Sequence, residues 1–274
     1  MQPLDLIISL LVLIFFLGSA LVSGGDILRS LQGGLLIMLV MFTVGGSIEV
    51  IIEALRGIRG LGTVVGFITN GPEALCLLVG LLSDDIYFAA STPLGSNFMN
   101  PVMLISAALV SGTLAVVWRF QRRMTWSTLI LTAILAGLFF IVPVKFMPLW
   151  VAVTLAVSCF LFYKRSRDLD DEDSEAGAVP RWAVIPAGML LLVAGFFLDP
   201  VVDFTAEASR APKGLIGFVV LASLTSWPEF RSCLGLLQRG RTSAAVLNIT
   251  VSNITNLWLA LIGIAIYLVM KGSG

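Results

Sequence analysis

Apolar runs of about 17–25 residues recur from one end of the chain to the other, each long enough to cross a bilayer as a helix. They predict about nine membrane helices, over roughly 5–23, 32–52, 60–82, 90–117, 126–143, 147–163, 182–198, 214–236 and 243–270. The first lacks a basic leading region, and its length suits a retained helix better than a signal peptide. Polar residues punctuate the runs. Glu49, Glu53, Arg56 and Arg59 form an amphipathic tail after the second helix, and Asp84 and Asp85 mark a tight turn between the third and fourth. Asp199, Asp203, Glu207, Arg210 and Lys213 follow the seventh. The one sizeable soluble stretch, 164–181, mixes both charges with Gly and Pro, as a solvated linker does. Its acidic cluster has no spacing that fixes a metal geometry.

Loop charges predict the orientation. Arg56 and Arg59, Arg119, Arg122 and Arg123, Lys164, Arg165, Arg167 and Arg181, and Arg239 and Arg241 all fall on one side of the nine-helix count. The opposite side holds Asp84–Asp85, Lys145, the mixed 199–213 stretch and Lys271. The positive-inside rule then places the N-terminus in the cytoplasm and the C-terminus outside.

Composition narrows the chemistry. Hydrophobic residues make up 58% of the chain, and mean hydropathy is +0.99, as expected for a multi-pass protein of the cell (inner) membrane. Net charge is zero, which gives no basic face for nucleic acid. There is no histidine, which removes the usual proton shuttle and the commonest metal ligand. Without a Gly-x-Ser-x-Gly elbow or a paired catalytic Asp motif, an intramembrane enzyme is not expected, nor is a cofactor. Cys76, Cys159 and Cys233 all lie in apolar runs and read as buried packing residues.

One short stretch occurs twice. Residues 69–73 read Thr-Asn-Gly-Pro-Glu and 225–229 read Thr-Ser-Trp-Pro-Glu, each followed by a second signature, Gly-Ser-Asn-Phe-Met-Asn at 95–100 and Val-Ser-Asn-Ile-Thr-Asn at 251–256. A single offset of 156 positions relates Glu73 to Glu229, Ser96 to Ser252 and Asn100 to Asn256. In the predicted topology helix 3 and helix 8 run in opposite directions, so the halves form inverted repeats, the architecture of alternating access.

An ionised carboxylate inside a membrane helix costs several kcal/mol unless partnered, so Glu73 and Glu229 are functional candidates. The proline before each removes a backbone hydrogen bond and would free carbonyls near 68–69 and 224–225. Thr69 and Thr225 lie four positions before each Glu, on the same helical face, and Ser96 and Asn100, like Ser252 and Asn256, are also four apart. Together the halves offer an oxygen-rich cage with two negative charges, which one divalent cation, two monovalent cations or two protons would neutralise. Hard cations prefer such oxygen ligands. Asn248-Ile-Thr and Asn253-Ile-Thr match the glycosylation pattern but lie inside the ninth helix, where that reading does not hold.

These residues resemble the alpha-repeats of the calcium/cation antiporter superfamily, in which a Gly-Thr-Ser-x-Pro-Glu helix and a Gly-Ser-Asn-x-x-(Asn/Asp) helix occur once per half. Thr69, Asn70, Pro72 and Glu73, with Gly95, Ser96, Asn97 and Asn100, match in the first half. Thr225, Ser226, Pro228 and Glu229, with Ser252, Asn253 and Asn256, match in the second. The resemblance implies that Glu73 and Glu229 are central Ca²⁺ ligands. It implies too that Thr69, Thr225, Asn70, Ser226, Ser96, Ser252, Asn100 and Asn256 line sites for Ca²⁺ and Na⁺ or H⁺. Asn256 stands where sodium/calcium exchangers often carry Asp, which favours an electroneutral exchange. Ile68, Leu224 and Val251 replace motif glycines, and the chain has fewer helices than the usual ten. Arg231, two positions after Glu229, is expected to snorkel to the cytoplasmic surface, or else to approach the site as a tethered cation.

The expected architecture is therefore an all-α membrane protein with an added N-terminal helix over 1–31 and a first repeat over 32–163, whose signature helices span 60–117. A charged cytoplasmic linker over 164–181 joins it to a shortened second repeat over 182–274, with signature helices over 214–270. The expected activity is antiport of Ca²⁺ against Na⁺ or H⁺. Exchange of another mono- or divalent cation and a non-transporting membrane subunit of the same fold are the alternatives. The lipid bilayer and the transported cations are the expected partners; a homo-oligomer or a partner subunit is left open.

Overall fold

The structure, a computed structural model, describes residues 3–54, 67, 69–165 and 179–272. All regular structure among them is helical: α1 (Pro3–Ser23), α2 (Ile27–Ala54), α3 (Gly71–Leu82), α4 (Ile86–Val110), α5 (Arg122–Phe139), α6 (Met147–Lys164), α7 (Val184–Ser209), α8 (Trp227–Gln238) and α9 (Thr242–Gly272). A short helix, Leu114–Arg119, joins α4 to α5. Arg56, Arg59, Arg167 and nearly all of the expected linker lie outside the described residues.

Among the described residues seven helices, all but α3 and α8, are long and apolar enough to cross a membrane. The two remaining expected spans are the signature stretches, and the second of these is not one helix. Lys213–Leu215 is α-helical, Ile216–Leu221 is a π-helix, Ala222–Thr225 is a last α-turn, and the chain breaks at Ser226 before α8. In the first half α3 begins at Gly71 behind a turn at Thr69–Asn70, and 60–66 lie outside the described residues. Pro72 and Pro228 thus occupy the first turns of α3 and α8. A first-turn proline lacks only an N–H that has no intrahelical acceptor anyway. In the second half the helical run is interrupted only at Ser226, which keeps helical angles, as a proline two positions later that lacks an N–H requires. In the first half the residues before Thr69 that would show it, except Phe67, lie outside the described residues.

Other boundaries move for local reasons. Asp26 Oδ1 accepts from the Arg29 backbone N–H at 3.0 Å, so α2 starts at Ile27 and not near 32. Asp85 Oδ1 caps α4 through the Phe88 N–H at 2.9 Å. That helix ends at Val110, short of the expected 117, before Gly112 turns the chain with φ +70°. The polar stretch expected as a tail after residue 198 is instead a continuation of α7 to Ser209. Lys213 then folds back to pair with Asp203 and lies 4.0 Å from Asp199. Burial alone would lower its pKa, but the hydrogen bond and charge of Asp203, with Asp199 and Asp85, raise it above the ordinary lysine value.

The core is built around α4, which packs on α3, α5, α8, α9 and the 213–225 run. It runs antiparallel to α9, with Ala90 and Leu94 in one cluster with Leu257, Ala260 and Ile264, while Asn100 reaches Ser252 and Asn253. The Leu114–Arg119 helix touches the start of α9, which gathers Arg119, Arg239 and Arg241 at one end; the Asp84–Asp85 turn lies at the other. Cys76 and Cys233 are buried as expected, but Cys159 is exposed on α6. An apolar run facing lipid needs no burial within the protein, which is why sequence alone placed Cys159 inside.

Helices α2 and α7 form a second unit, packed against each other along their length. Small residues permit the approach, as in membrane helix pairs generally. A Cβ at Gly33 would lie 2.4 Å from Thr205 Oγ1, and one at Gly25 would lie 2.4 Å from the Ala208 carbonyl oxygen. Replacing Gly33 by Val should therefore separate the two helices and destabilise the fold by about 1–3 kcal/mol, the usual range for overpacking. Thermal unfolding in detergent checks this; an unchanged midpoint would mean the pair is loose.

Candidate cation-binding site

All ten residues singled out by the doubled motif converge on one buried region. Thr69, Glu73, Ser96, Asn100, Ser226, Glu229, Ser252 and Asn256 are 0% exposed, Thr225 is 1% and Asn70 4% exposed. Glu73 and Glu229 sit in the first turns of α3 and α8, where the helix dipole favours a carboxylate. In each half the motif serine of the following helix donates to the motif glutamate: Ser96 Oγ to Glu73 Oε1 at 2.9 Å, and Ser252 Oγ to Glu229 Oε1 at 3.3 Å. The offset seen in the sequence is thus repeated as a hydrogen bond.

The threonines behave differently from the helical-face argument. Because the chain turns at 70 and breaks at 226, Thr225 stands beside Glu73 and Thr69 beside Glu229, each carboxylate being faced by the other half's threonine. Thr225 Oγ1 lies 3.2 Å from Ser96 Oγ. Thr69 Oγ1 makes no hydrogen bond of ordinary geometry.

The two halves are not satisfied equally. Asn70 donates to the Ser252 carbonyl at 3.0 Å and to Thr255 Oγ1, and its Oδ1 lies 2.6 Å from Ser252 Oγ. Asn100 Nδ2 donates to Ser252 Oγ and Asn253 Oδ1, both at 2.9 Å. Ser252 has one hydroxyl proton. The shorter contact directs it to Asn70, which leaves Glu229 the weaker share. The matching positions, Ser226 and Asn256, have buried side-chain oxygens with no hydrogen-bond partner. Glu73 Oε2, Glu229 Oε2 and Asn100 Oδ1 are unpaired as well. A buried unpaired polar group costs about 1–3 kcal/mol, and these groups are concentrated around the two carboxylates.

Several residues of the region were not singled out as ligands. Asn97 and Asn253 brace α4 against α9: Asn253 Nδ2 donates to the Asn97 carbonyl at 3.3 Å and to Thr132 Oγ1 at 3.0 Å. Thr132 belongs to a helix read as merely apolar; its spacing with Thr125 and Thr128, all buried, was the signal available. Thr255 closes on Asn70. Gly95 is required where α4 meets the π-helix, since a Cβ there would lie 2.4 Å from the Phe218 carbonyl oxygen. At the equivalent position of the second half Val251 is accommodated, fully buried. Arg231 does not approach the site. It pairs with Glu49 on α2 at 3.0 Å, both side chains being about two-fifths exposed (43% and 38%).

No protein-family model and no curated protein matches the chain. Among solved structures, the crystal structure of an H⁺/Ca²⁺ exchanger CAX matches with a TM-score of 0.51 over 97% of this chain and 75% of that one, at 19% identity. The likeness is one of fold, and it agrees with the resemblance to the calcium/cation antiporters carried by the doubled motif.

The Glu49–Arg231 pair yields a first check on this geometry. A double-mutant cycle with Glu49→Gln and Arg231→Gln should give a coupling of about 0.2–1 kcal/mol, the range for exposed pairs. A coupling of opposite sign, repulsive between the wild-type pair, would show that Arg231 faces elsewhere.

Proposed function

We propose that the protein is a secondary active cation antiporter of the cell (inner) membrane that moves Ca²⁺ in exchange for Na⁺ or H⁺ by alternating access. The observation that carries this is the pair of wholly buried carboxylates, one from each half, each with an unpaired oxygen among unpaired amide and hydroxyl oxygens. Their hydrogen-bond partners are hydroxyls, and the nearest arginine in sequence is turned away to Glu49. The two negative charges are balanced by one Ca²⁺ or by two monovalent ions, and Ca²⁺ takes six to eight oxygens. Because the same carboxylates serve both cargoes, occupancy by one excludes the other, which couples the fluxes. With Asn256 in place of a third carboxylate, the balance is one Ca²⁺ for two Na⁺ or two H⁺. The CAX neighbour, an H⁺/Ca²⁺ exchanger by name, favours the proton arm.

The halves related by the offset of 156 are read as inverted repeats around this site, with the N-terminus cytoplasmic. The α2–α7 pair is read as the unit that slides against the site-bearing core. Ion pairs link it to the core region at both ends, Glu49 with Arg231 and Asp203 with Lys213. Asn70, Thr69, Ser96, Thr225, Ser226, Ser252, Asn100 and Asn256 supply oxygens around Glu73 and Glu229.

The test is ⁴⁵Ca²⁺ uptake into proteoliposomes under separate outward Na⁺ and H⁺ gradients. Uptake should follow one gradient and fall to background in Glu73→Gln and in Glu229→Gln. Absence of uptake under both gradients, together with no thermal stabilisation by Ca²⁺, rejects calcium as cargo. Stabilisation by another cation would then redirect the reading to that ion, and stabilisation by none to a subunit that keeps the fold without transporting.

A further inference from the structure

The polar stripe of the site extends one turn beyond the motif, in both halves. Thr92 precedes Ser96 by four positions and Asn248 precedes Ser252 by four, and the two are related by the same offset of 156. Both are 0% exposed. Thr92 Oγ1 makes no hydrogen bond of ordinary geometry and stands beside the Cys76 thiol, and Asn248 has no partner on either Oδ1 or Nδ2. Packing does not account for Asn248. On the same helix Thr250 and Thr255 satisfy their hydroxyls on the carbonyls of Val246 and Val251, both at 2.9 Å. Asn248 shares instead the behaviour of Asn256, a residue of the cage, whose amide is also wholly unpaired. Four-residue steps keep Asn248, Ser252 and Asn256 near one face of α9. Burial also removes Asn248 from glycosylation, despite its Asn-Ile-Thr context.

Direction follows from the antiparallel run of α4 and α9. Thr92 lies one turn from the cage towards the Asp84–Asp85 end, and Asn248 one turn towards the Arg239–Arg241 end, about 6 Å along the helix axis in each case. The two glutamates are thus flanked, on opposite sides, by one buried polar side chain from each half, of which Asn248 is wholly unpaired.

We propose that Asn248 is a cation-coordinating residue on the arginine-rich side of the cage. Its Oδ1 holds the ion in passage to and from the glutamates, with Thr92 as its counterpart on the far side. This rests on the antiport reading and adds a position outside the doubled motif. The occupant is a partly dehydrated metal cation: an amide oxygen offers a neutral, moderate ligand that binds without trapping.

The experiment compares wild type with Asn248→Ala and Asn248→Asp, using Ca²⁺ alone as probe. It reads the half-saturating Ca²⁺ for ⁴⁵Ca²⁺ uptake and the Ca²⁺-induced shift of the unfolding midpoint. Asn248→Ala should raise half-saturation about tenfold, as loss of one ligand to a charged group does. It should also shrink the Ca²⁺-induced shift, with the change in half-saturation exceeding any change in maximal rate. Asn248→Asp should lower half-saturation and enlarge the shift. If wild type transports and both variants match its half-saturation, Asn248 is a packing residue and the inference is overturned while the antiport reading stands. If wild type neither transports nor is stabilised, both fall together. Should Asn248→Ala not fold, Asn248→Asp decides alone: tighter binding supports the proposal, and unchanged binding overturns it.

Discussion

Two carboxylates buried in the middle of a membrane protein impose the terms on everything around them. A charge at that depth is tolerated only with partners, and here each glutamate is supplied with the start of a helix, a serine from the next helix and a threonine from the other half. The broken signature helices follow from the same need. A continuous helix would satisfy its own backbone and present only side chains, whereas a chain that turns at Asn70 and breaks at Ser226 brings helix N-termini to the glutamates. Irregular backbone at membrane depth is tolerated where it lines a protected site.

The site is symmetric in design and asymmetric in detail. Both halves repeat the Glu–Ser hydrogen bond, yet Asn70 locks the Ser252 side, while Ser226 in the matching position makes no hydrogen bond and Asn256 is unpaired. One half of this region is thus held by direct side-chain hydrogen bonds, and the other keeps unpaired polar atoms. The amide that replaces an acid at Asn256 keeps the charge at two carboxylates. The exchange of Asn for Ser across the repeat also makes the two faces of the cage chemically distinct.

The surroundings divide into a core that holds the site and a pair that does not contribute to it. Helix α4 carries Ser96 and Asn100 and is braced to α9 by Asn97 and Asn253. Helices α2 and α7 pack on each other through small residues. They share a buried apolar cluster with the core in which Met41, Val44 and Leu198 meet Leu75, Leu224 and Phe230, and add the ion pairs Glu49–Arg231 and Asp203–Lys213, more exposed than the site residues. Buried amide braces and partly exposed ion pairs differ in how readily they exchange partners for water.

The sequence by itself determined the membrane class, most of the spanning segments and the ten motif residues that the fold buries. Apolar length, ionisable residues within apolar runs and a constant offset are properties of the chain that folding cannot change. Only the tertiary structure decided which groups meet across the halves: that Thr225 serves Glu73, that Asn70 competes with Glu229 for the Ser252 proton, and that Arg231 turns to Glu49. It also placed Pro72 and Pro228 at helix starts and left Asn248 unpaired. A spacing of four residues states which side chains share a face of a regular helix. It says nothing once the helix is broken, because the turn then sets the direction of every residue before it. Where two broken helices meet, their contacts depend on the packing of the whole bundle.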